Sequence, residues 1–157
     1  MSATARSSAP PGAPSAAPAR LAPAQRALAL FLALACLSLL ALGARLTPSP
    51  SGHGTHHQLG LPACGWVQLI NVPCPTCGMT TAVSHAAHGD LLNSARTQPF
   101  GFLFALAAAA AFWVALHAAL TGARTHALFA FLLRPPSLCI LAALWIGSWV
   151  YKIATWP

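Results

Sequence analysis

Most of the side chains that could do chemistry in this chain lie in one stretch, Val72–Asp90 (VPCPTCGMTTAVSHAAHGD). It contains a Cys-x-x-Cys pair, two histidines and the only acidic residue of the protein. With one cysteine upstream, the candidate redox or metal-binding residues are Cys64, Cys74, Cys77, His85 and His88. Thiolates and neutral imidazoles bind zinc or Cu(I), and a Cys-x-x-Cys pair can instead form a reversible disulfide. The stretch therefore suggests two chemistries, metal binding and thiol–disulfide exchange.

A third hypothesis gives the motif a structural role, and the sequence favours it. Pro75 suits the first position of a helix that has Cys74 as its N-cap, which places Cys77 in the first turn. There the helix dipole would lower the pKa of the thiol and favour exchange. However, oxidoreductase motifs of this spacing normally accompany a βαβ pattern, which the sequence lacks. A zinc site would need four ligands, so Cys64 and a histidine would have to complete the pair.

Hydrolytic catalysis is disfavoured. Asp90 is the only carboxylate, so acid–base chemistry by two carboxylates is excluded. Cys77 and His85 would lie about 12 Å apart along a helix axis, beyond hydrogen-bond distance. The other two cysteines, Cys36 and Cys139, lie in apolar runs and are expected to pack as small apolar side chains. The sequence indicates no particular cofactor.

The composition places much of the chain in lipid. Of its 157 residues, 57% are apolar and only 6% are charged, whereas an ordinary soluble domain has roughly 25% charged residues. The net charge of +7 comes from Lys and Arg residues that stand singly at the ends of apolar runs. That distribution is typical of membrane proteins, and no basic patch with interleaved aromatics suggests nucleic acid as a partner. We therefore expect the lipid bilayer to be the main partner.

Three apolar stretches are long enough to cross a bilayer, so the predicted fold class is an all-α membrane protein. The spans are residues 27–44, 100–120 and 135–151, within one membrane domain of residues 26–157. At 1.5 Å per residue the first span extends about 27 Å, just enough to cross the hydrocarbon core. Residues 1–25 are rich in Ala, Pro and Ser, which predicts a disordered tail. The apolar segment 126–133 would lie in the interface or lengthen the third span.

The positive charges predict the orientation. A cytoplasmic N-terminus would leave five cationic residues inside (Arg6, Arg20, Arg26, Arg124 and Arg134) and three outside (Arg45, Arg96 and Lys152). Because cytoplasmic loops carry the excess of Lys and Arg, this distribution places the motif outside, in an oxidising compartment where a disulfide could persist. At the end of the third span, Lys152 is expected to reach the headgroups, beside an aromatic belt of Trp149, Tyr151 and Trp156.

The connection between the first two spans, residues 45–98, is long enough to carry function. We predict short interfacial helices in it, one that begins at Pro75 and runs to His88, closed by Gly89, and a second over 91–98 with Asp90 as its N-cap. One face of the first helix would carry Cys77, Thr81, His85 and His88. Its polar groups must bond one another or water, because apolar spans lie beneath them. Upstream, His53, His56 and His57 form either a solvated loop or a metal-binding tract.

The run over residues 56–101 closely resembles a widespread family of small bacterial integral membrane proteins that is catalogued as a domain of unknown function. The hallmark of that family is Cys-Pro-x-Cys-Gly-(Leu/Met)-Thr, followed by Gly-Asp and by Asn-Pro or Gln-Pro before the next span. The matching positions are Cys74, Pro75, Cys77, Gly78, Met79, Thr80, Gly89, Asp90 and Pro99, together with Leu59–Cys64 upstream. Thr81 departs from the pattern, because many members carry Arg there. The resemblance implies a multi-pass protein of the bacterial inner membrane, and it implies no particular activity.

Overall fold

The computed structural model describes residues 20–123 and 134–156, and the regular secondary structure in those ranges is entirely helical. The helices are α1 (Pro23–Arg45), a short 3-10 helix (Thr55–Leu59), α2 (Gly65–Ile70), α3 (Met79–Ala87), α4 (Leu91–Thr97), α5 (Pro99–Thr121) and α6 (Pro135–Ala154). Within the described ranges, α1, α5 and α6 are the three helices long and apolar enough to cross a membrane. The predicted fold class, an all-α membrane protein with three spans and short helices in a long first connection, is therefore confirmed.

Two sequence predictions concern residues outside the described ranges. These are the tail over residues 1–19 and the interfacial segment 126–133. The sequence predicts that the tail continues to residue 25, but α1 already begins at Pro23. Proline fits the first helical position, and the side chain of Gln25 accepts a hydrogen bond from the backbone N–H of Ala22 (3.0 Å). The helix start is therefore stabilised earlier than the apolar run indicates.

The three long helices leave most of their apolar surface outside the protein. In their most apolar windows, 11% of residues are buried for α1, 28% for α5 and 11% for α6. Phe31 and Trp113 are examples, with 70% and 67% of their surface exposed. Water would make so much exposed apolar surface strongly unfavourable, whereas a bilayer covers it with lipid. The chain is therefore a multi-pass membrane protein in contact with lipid.

The three long helices run in alternating directions. The start of α1 lies beside the end of α5, where the backbone N–H of Leu21 donates to the carbonyl of Gly122 (2.9 Å). The guanidinium of Arg26 donates to two carbonyl oxygens in the last turn of α5, each at 2.9 Å, and so caps that helix. At the opposite end, the hydroxyl of Ser148 in α6 accepts from the backbone N–H of Phe100 at the start of α5 (3.0 Å). Both neighbours of α5 are thus antiparallel to it.

Residues 46–98 form a cap at the end of the bundle where α1 ends, α5 begins and α6 ends. Its centre is α3, which packs against both α1 and α5. At Gly43 of α1, an added Cβ would stand 3.1 Å from the side chain of Val83. At Gly101 of α5, an added Cβ would stand 3.0 Å from the Cβ of Ala82. Glycines at these two positions therefore let α3 lie close to the long helices.

Candidate functional site

The Cys-Pro-Thr-Cys motif forms a turn before α3 rather than the first turn of a helix. The backbone N–H of Cys77 donates to the carbonyl of Cys74 (2.9 Å), and Gly78 then has a φ of +85°. A left-handed residue cannot continue a right-handed helix, so α3 begins one residue later, at Met79. The predictions that Cys74 is an N-cap and that Pro75 starts the helix are therefore wrong, and so is the expectation of a lowered pKa at Cys77, which burial instead raises.

Gly78 is required at its position for a second reason, the close approach of another turn. The turn closed by the hydrogen bond from Gly52 N–H to the carbonyl of Ser49 (3.0 Å) lies directly against it. A Cβ at Gly78 would stand 2.7 Å from the carbonyl oxygen of Gly52 and 3.4 Å from the side chain of Lys152. Because real Cβ atoms do not approach backbone that closely, a larger residue would push the two turns apart.

Three of the five cysteines meet at one cavity of about 260 Å³ in the cap. Its lining residues, which define what we call the thiol cavity, are Gly54, His56, Cys64, Cys74, Thr76, Cys77, Gly78, Thr80 and Thr81. Cys64 is the N-cap of α2, whereas Cys74 and Cys77 belong to the motif turn. All five cysteines of the protein are free thiols in this structure. Three of the five candidate residues from the sequence are therefore brought together.

The thiols of Cys64 and Cys77 differ in acidity. Burial, together with negative charge on the neighbouring thiols of Cys74 and Cys64, raises the pKa of Cys77 to about 11. Burial also acts to raise the pKa of Cys64, but the backbone N–H of Val67 and the thiol of Cys74 favour its thiolate and outweigh the burial. The net result is a pKa of Cys64 below its usual value. At neutral pH, Cys64 therefore ionises more readily than Cys77.

The two candidate histidines, His85 in α3 and His88 directly after it, do not line the thiol cavity. The Nδ1 of His85 lies 3.0 Å from the carboxylate of Asp90, and the Nδ1–H of His88 donates to the carbonyl of Ser84 (2.8 Å). Since Cys77 precedes the helix, the predicted face that joins it to these histidines does not form. Within residues 20–123 and 134–156, no group of three or more His, Cys, Asp or Glu side chains could hold a metal ion. Metal binding stays a prediction.

His56 is a cavity residue that the sequence placed only in a histidine tract. It lies in the 3-10 helix, and its Nε2 is 3.2 Å from the carbonyl oxygen of Pro62. That helix is anchored to α3 by a hydrogen bond between the buried hydroxyls of Thr55 and Thr81 (2.8 Å). The two threonines are 26 residues apart and show no periodicity, so no sequence signal marks their contact.

The buried polar side chains of α3 are satisfied within the cap, as predicted for a polar face above apolar spans. The hydroxyl of Ser84 donates to the carbonyl of Leu46, just after α1. The hydroxyl of Ser94 in α4 donates in turn to the carbonyl of Ala82 in α3 (2.6 Å). Among the described residues, every buried side-chain nitrogen or oxygen has a hydrogen-bond partner. The polar face of α3 can lie above apolar spans because these internal hydrogen bonds replace the hydrogen bonds that its groups would otherwise make to water.

The capping roles predicted for Gly89 and Asp90 are confirmed. Gly89 has a φ of +80° directly after α3, and the backbone N–H of Asp90 donates to the carbonyl of His85 (3.0 Å). The carboxylate of Asp90 accepts from the side-chain amide of Asn93 (2.8 Å) and from its backbone N–H (3.2 Å). These two bonds, with a smaller contribution from His85, hold the pKa of Asp90 below its usual range.

The end of α6 binds the cap. The indole N–H of Trp149 donates to the carbonyl of Pro73 (2.9 Å), and the ammonium of Lys152 donates to the carbonyls of Gly52 (3.1 Å) and Thr97 (3.3 Å). Lys152 is only 6% exposed, so the prediction that it reaches the headgroups is wrong. The ammonium binds backbone carbonyls that the cap itself does not pair. This is favourable because burying a carbonyl without a hydrogen-bond donor costs free energy.

Two further aromatic residues of the predicted belt also contact the cap. The hydroxyl of Tyr151 donates to the carbonyl of Arg96 (2.9 Å), and the ring of Trp156 lies 4.6 Å from that of His53. The aromatic end of α6 therefore fixes the position of the cap on the bundle.

Gln98 is a fully buried residue that the sequence reading missed. Its amide N–H donates to the carbonyl of Pro75 in the motif turn (3.4 Å), and its amide oxygen accepts from the backbone N–H of Gly101. It therefore ties the motif turn to the start of α5. The signal that could have found it is a polar residue directly before Pro99, where a helix N-cap belongs.

No curated protein and no solved structure matches this chain. A protein family does match part of it, over a range that begins at Cys64, includes the motif turn, α3 and α4, and ends within α5. The range is less than half of the 157 residues and overlaps the segment 56–101 that carries the resemblance. Over residues 64–114, the chain is similar to the family described as Protein of unknown function (DUF2752).

Proposed function

We propose that this membrane protein carries out thiol–disulfide exchange in its cap, through Cys64, Cys74 and Cys77. The observation that carries the proposal is that thiols from the start of α2 and from the motif turn line one cavity. The sequence favoured a structural role for the motif. A structural role, however, would not require a third cysteine from another segment beside the turn. The cavity, at about 260 Å³, also offers room for a partner sulfur beside the three thiols.

The difference in acidity suggests a role for each cysteine. As a thiolate, Cys64 attacks one sulfur of a partner disulfide, forms a mixed disulfide and releases the other partner sulfur, which takes a proton from water. Cys74 then attacks the sulfur of Cys64 and passes its own proton to the second leaving partner sulfur. A Cys64–Cys74 disulfide remains, and two electrons have passed from the protein to the partner disulfide. Cys77, with a pKa of about 11, stays protonated at neutral pH.

The proposal extends to the setting, with the cap on the outer side of a bacterial inner membrane and the N-terminus in the cytoplasm. The support is the distribution of charge, since five cationic residues would lie inside and three outside. The bacterial setting rests on the resemblance of residues 56–101. In this proposal the N-terminal tail ends before α1 begins at Pro23, and the rest of the chain is one membrane domain. An outer cap would meet an oxidising compartment, where partner disulfides are available.

A purely structural role is the second candidate, and one observation favours it. The motif turn is held by contacts that involve no sulfur, namely the close approach of Gly78 to Gly52 and the bond from Gln98 to Pro75. On this account the cysteines are packing residues or form one permanent disulfide. Zinc or copper binding is a third alternative, for which His85 and His88 would have to leave their present partners.

The test is a redox titration of the purified full-length protein in detergent. The background variant carries Cys36→Ser and Cys139→Ser, which removes the two thiols of the spans. It is equilibrated in reduced and oxidised glutathione at graded potentials, quenched with acid, alkylated and mapped by mass spectrometry. Exchange predicts a Cys64–Cys74 disulfide that is half-reduced above about −300 mV, within the range of glutathione. With Cys74→Ser added, glutathione should accumulate on Cys64 as a mixed disulfide.

The outcomes separate the candidates. A disulfide that glutathione does not reduce at any potential would favour the structural account. Thiols that stay reduced at every potential, with no glutathione on Cys64, would overturn the exchange proposal. Elemental analysis of the same preparation tests the metal alternative, because bound zinc or copper should then disappear in the Cys64→Ser variant.

A further inference from the structure

We propose that the cap carries a second site, a groove that binds a phosphate group, either the headgroup of an anionic phospholipid or free phosphate. The groove has a volume of about 420 Å³. Its walls come from the turn after α1, from α3 and α4 and from the end of α6, and include Ser49, His85, Asn93, Arg96, Lys152 and Thr155. We call it the basic groove. It shares no lining residue with the thiol cavity, so the inference is independent of the exchange proposal.

Two cationic side chains line the groove, and one of them, Arg96, has free donors. Arg96 is exposed, and within the described part of the chain no hydrogen bond or ion pair engages its guanidinium. The ammonium of Lys152 is buried, donates to the carbonyls of Gly52 and Thr97 and lies 5.8 Å from the centre of the Trp156 ring, so it contributes its charge to the groove. A guanidinium fork beside an ammonium suits the several oxygens of a phosphate group.

The other polar groups of the groove leave its charge positive. The hydroxyls of Ser49 and Ser51 bond each other (2.8 Å), so the affinity for an anion must come chiefly from the cations. Asp90, the only acidic residue of the protein, is not part of the lining. Its carboxylate is occupied by His85 and Asn93, at 3.0 and 2.8 Å. An anion in the groove would therefore meet the guanidinium of Arg96 and the charge of Lys152, while the carboxylate of Asp90 stays bound to His85 and Asn93.

The position of the groove favours a lipid headgroup as the source of the phosphate. Ser49 follows shortly after the end of α1, Thr97 lies two residues before the start of α5, and Lys152 lies in the last turn of α6. All three helices are candidate membrane spans, so the groove lies where the spans leave the hydrocarbon. Lipid phosphates occupy that level of the bilayer, and basic pockets there bind anionic headgroups.

The test compares the full-length wild type with Arg96→Gln and with Arg45→Gln. Arg45 is the matched control, because it is an exposed arginine at the same end of the bundle that does not line the groove. The purified proteins in detergent are titrated with phosphatidylglycerol or with phosphatidylcholine, and bound lipid is measured by native mass spectrometry. A parallel arm uses inorganic phosphate alone, with the thermal unfolding midpoint as the readout.

We expect the wild type to bind phosphatidylglycerol in preference to phosphatidylcholine, and Arg96→Gln to weaken that binding about tenfold, as loss of one charge-assisted contact does. Arg45→Gln should bind as the wild type does. Inorganic phosphate could raise the unfolding midpoint of the wild type but not that of Arg96→Gln, while lipid does not bind. The groove would then be a phosphate site whose ligand is soluble phosphate. Equal weakening by Arg45→Gln, or no binding of either probe, would overturn the proposal.

Discussion

The ammonium nitrogen of Lys152 lies 3.1 Å from the carbonyl oxygen of Gly52, one hundred residues earlier in the chain. The same ammonium donates to the carbonyl of Thr97 (3.3 Å) and lies against Gly78 of the motif turn. It therefore joins the last span to the cap at a point that borders both the thiol cavity and the basic groove. The geometry of the two candidate sites depends on α6 being in place.

Replacement of Lys152 by Met should destabilise the protein. The methionine keeps the apolar stem but leaves the carbonyls of Gly52 and Thr97 without their donor, which should lower the free energy of unfolding by about 1–3 kcal/mol. Reversible unfolding in mixed micelles measures the change. Arg45→Met, at an exposed cation of the same bundle end, is the control and should have little effect. Equal stability of Lys152→Met and wild type would show that the two bonds contribute nothing.

Alanine at Gly78 should cost more than alanine at Gly60. Both glycines have left-handed backbone, with φ of +85° and +74°, so alanine is strained at each by about 1–2 kcal/mol. At Gly60 the new Cβ meets nothing within 4 Å, whereas at Gly78 it would stand 2.7 Å from the carbonyl oxygen of Gly52. The excess loss of stability in Gly78→Ala over Gly60→Ala therefore measures the close approach of the two turns. Equal losses would argue against that approach.

The buried pair of Thr55 and Thr81 should behave as a coupled unit. Thr81→Val leaves the hydroxyl of Thr55 with one partner fewer, and Thr55→Val also removes the acceptor of the backbone N–H of Ser49 (3.0 Å). We expect losses of about 1–3 kcal/mol for each single change, the larger for Thr55→Val, and a double variant less destabilised than their sum. Unfolding of the four proteins gives the coupling energy. Strict additivity would mean that the hydroxyls do not interact.

Phenylalanine at position 149 should loosen the cap. The change keeps an aromatic ring near Trp66 but removes the indole N–H that donates to the carbonyl of Pro73 (2.9 Å). A loss of about 1 kcal/mol in unfolding free energy is expected. Trp113→Phe serves as the control, because Trp113 is 67% exposed on the bundle surface and should tolerate the change. A control as destabilised as Trp149→Phe would contradict this account.

The alkylation rates of Cys64 and Cys77 should respond differently to pH. Only the thiolate reacts, so each rate rises until the pH passes the pKa of that thiol. The rate at Cys64, whose pKa is lowered, should level off at a lower pH than the rate at Cys77, whose pKa is about 11. Timed iodoacetamide labelling with mass mapping across a pH series measures both. Coincident profiles would show that burial does not raise the pKa of Cys77.

Features that depend on neighbouring residues follow from the amino-acid order alone. The three spans could be predicted because uninterrupted apolar runs need no partner to reveal them. The roles of Gly89 and Asp90 could also be predicted, since a helix end is satisfied by groups one to five residues away. The same reasoning was wrong for the motif, because the left-handed Gly78 overrides the preference of Pro75 to begin a helix.

The relationships that build the candidate sites depend on distant residues. Cys64 meets the motif turn, Gln98 reaches the carbonyl of Pro75, and Lys152 reaches Gly52 only once the cap has packed onto the bundle. In most of these contacts the acceptor is a backbone carbonyl, a group that every residue carries. A side chain that bonds to a backbone carbonyl does not need a partner of any particular residue type, charge or spacing. The sequence therefore gives no sign of which residue the partner is, and only the folded chain shows it.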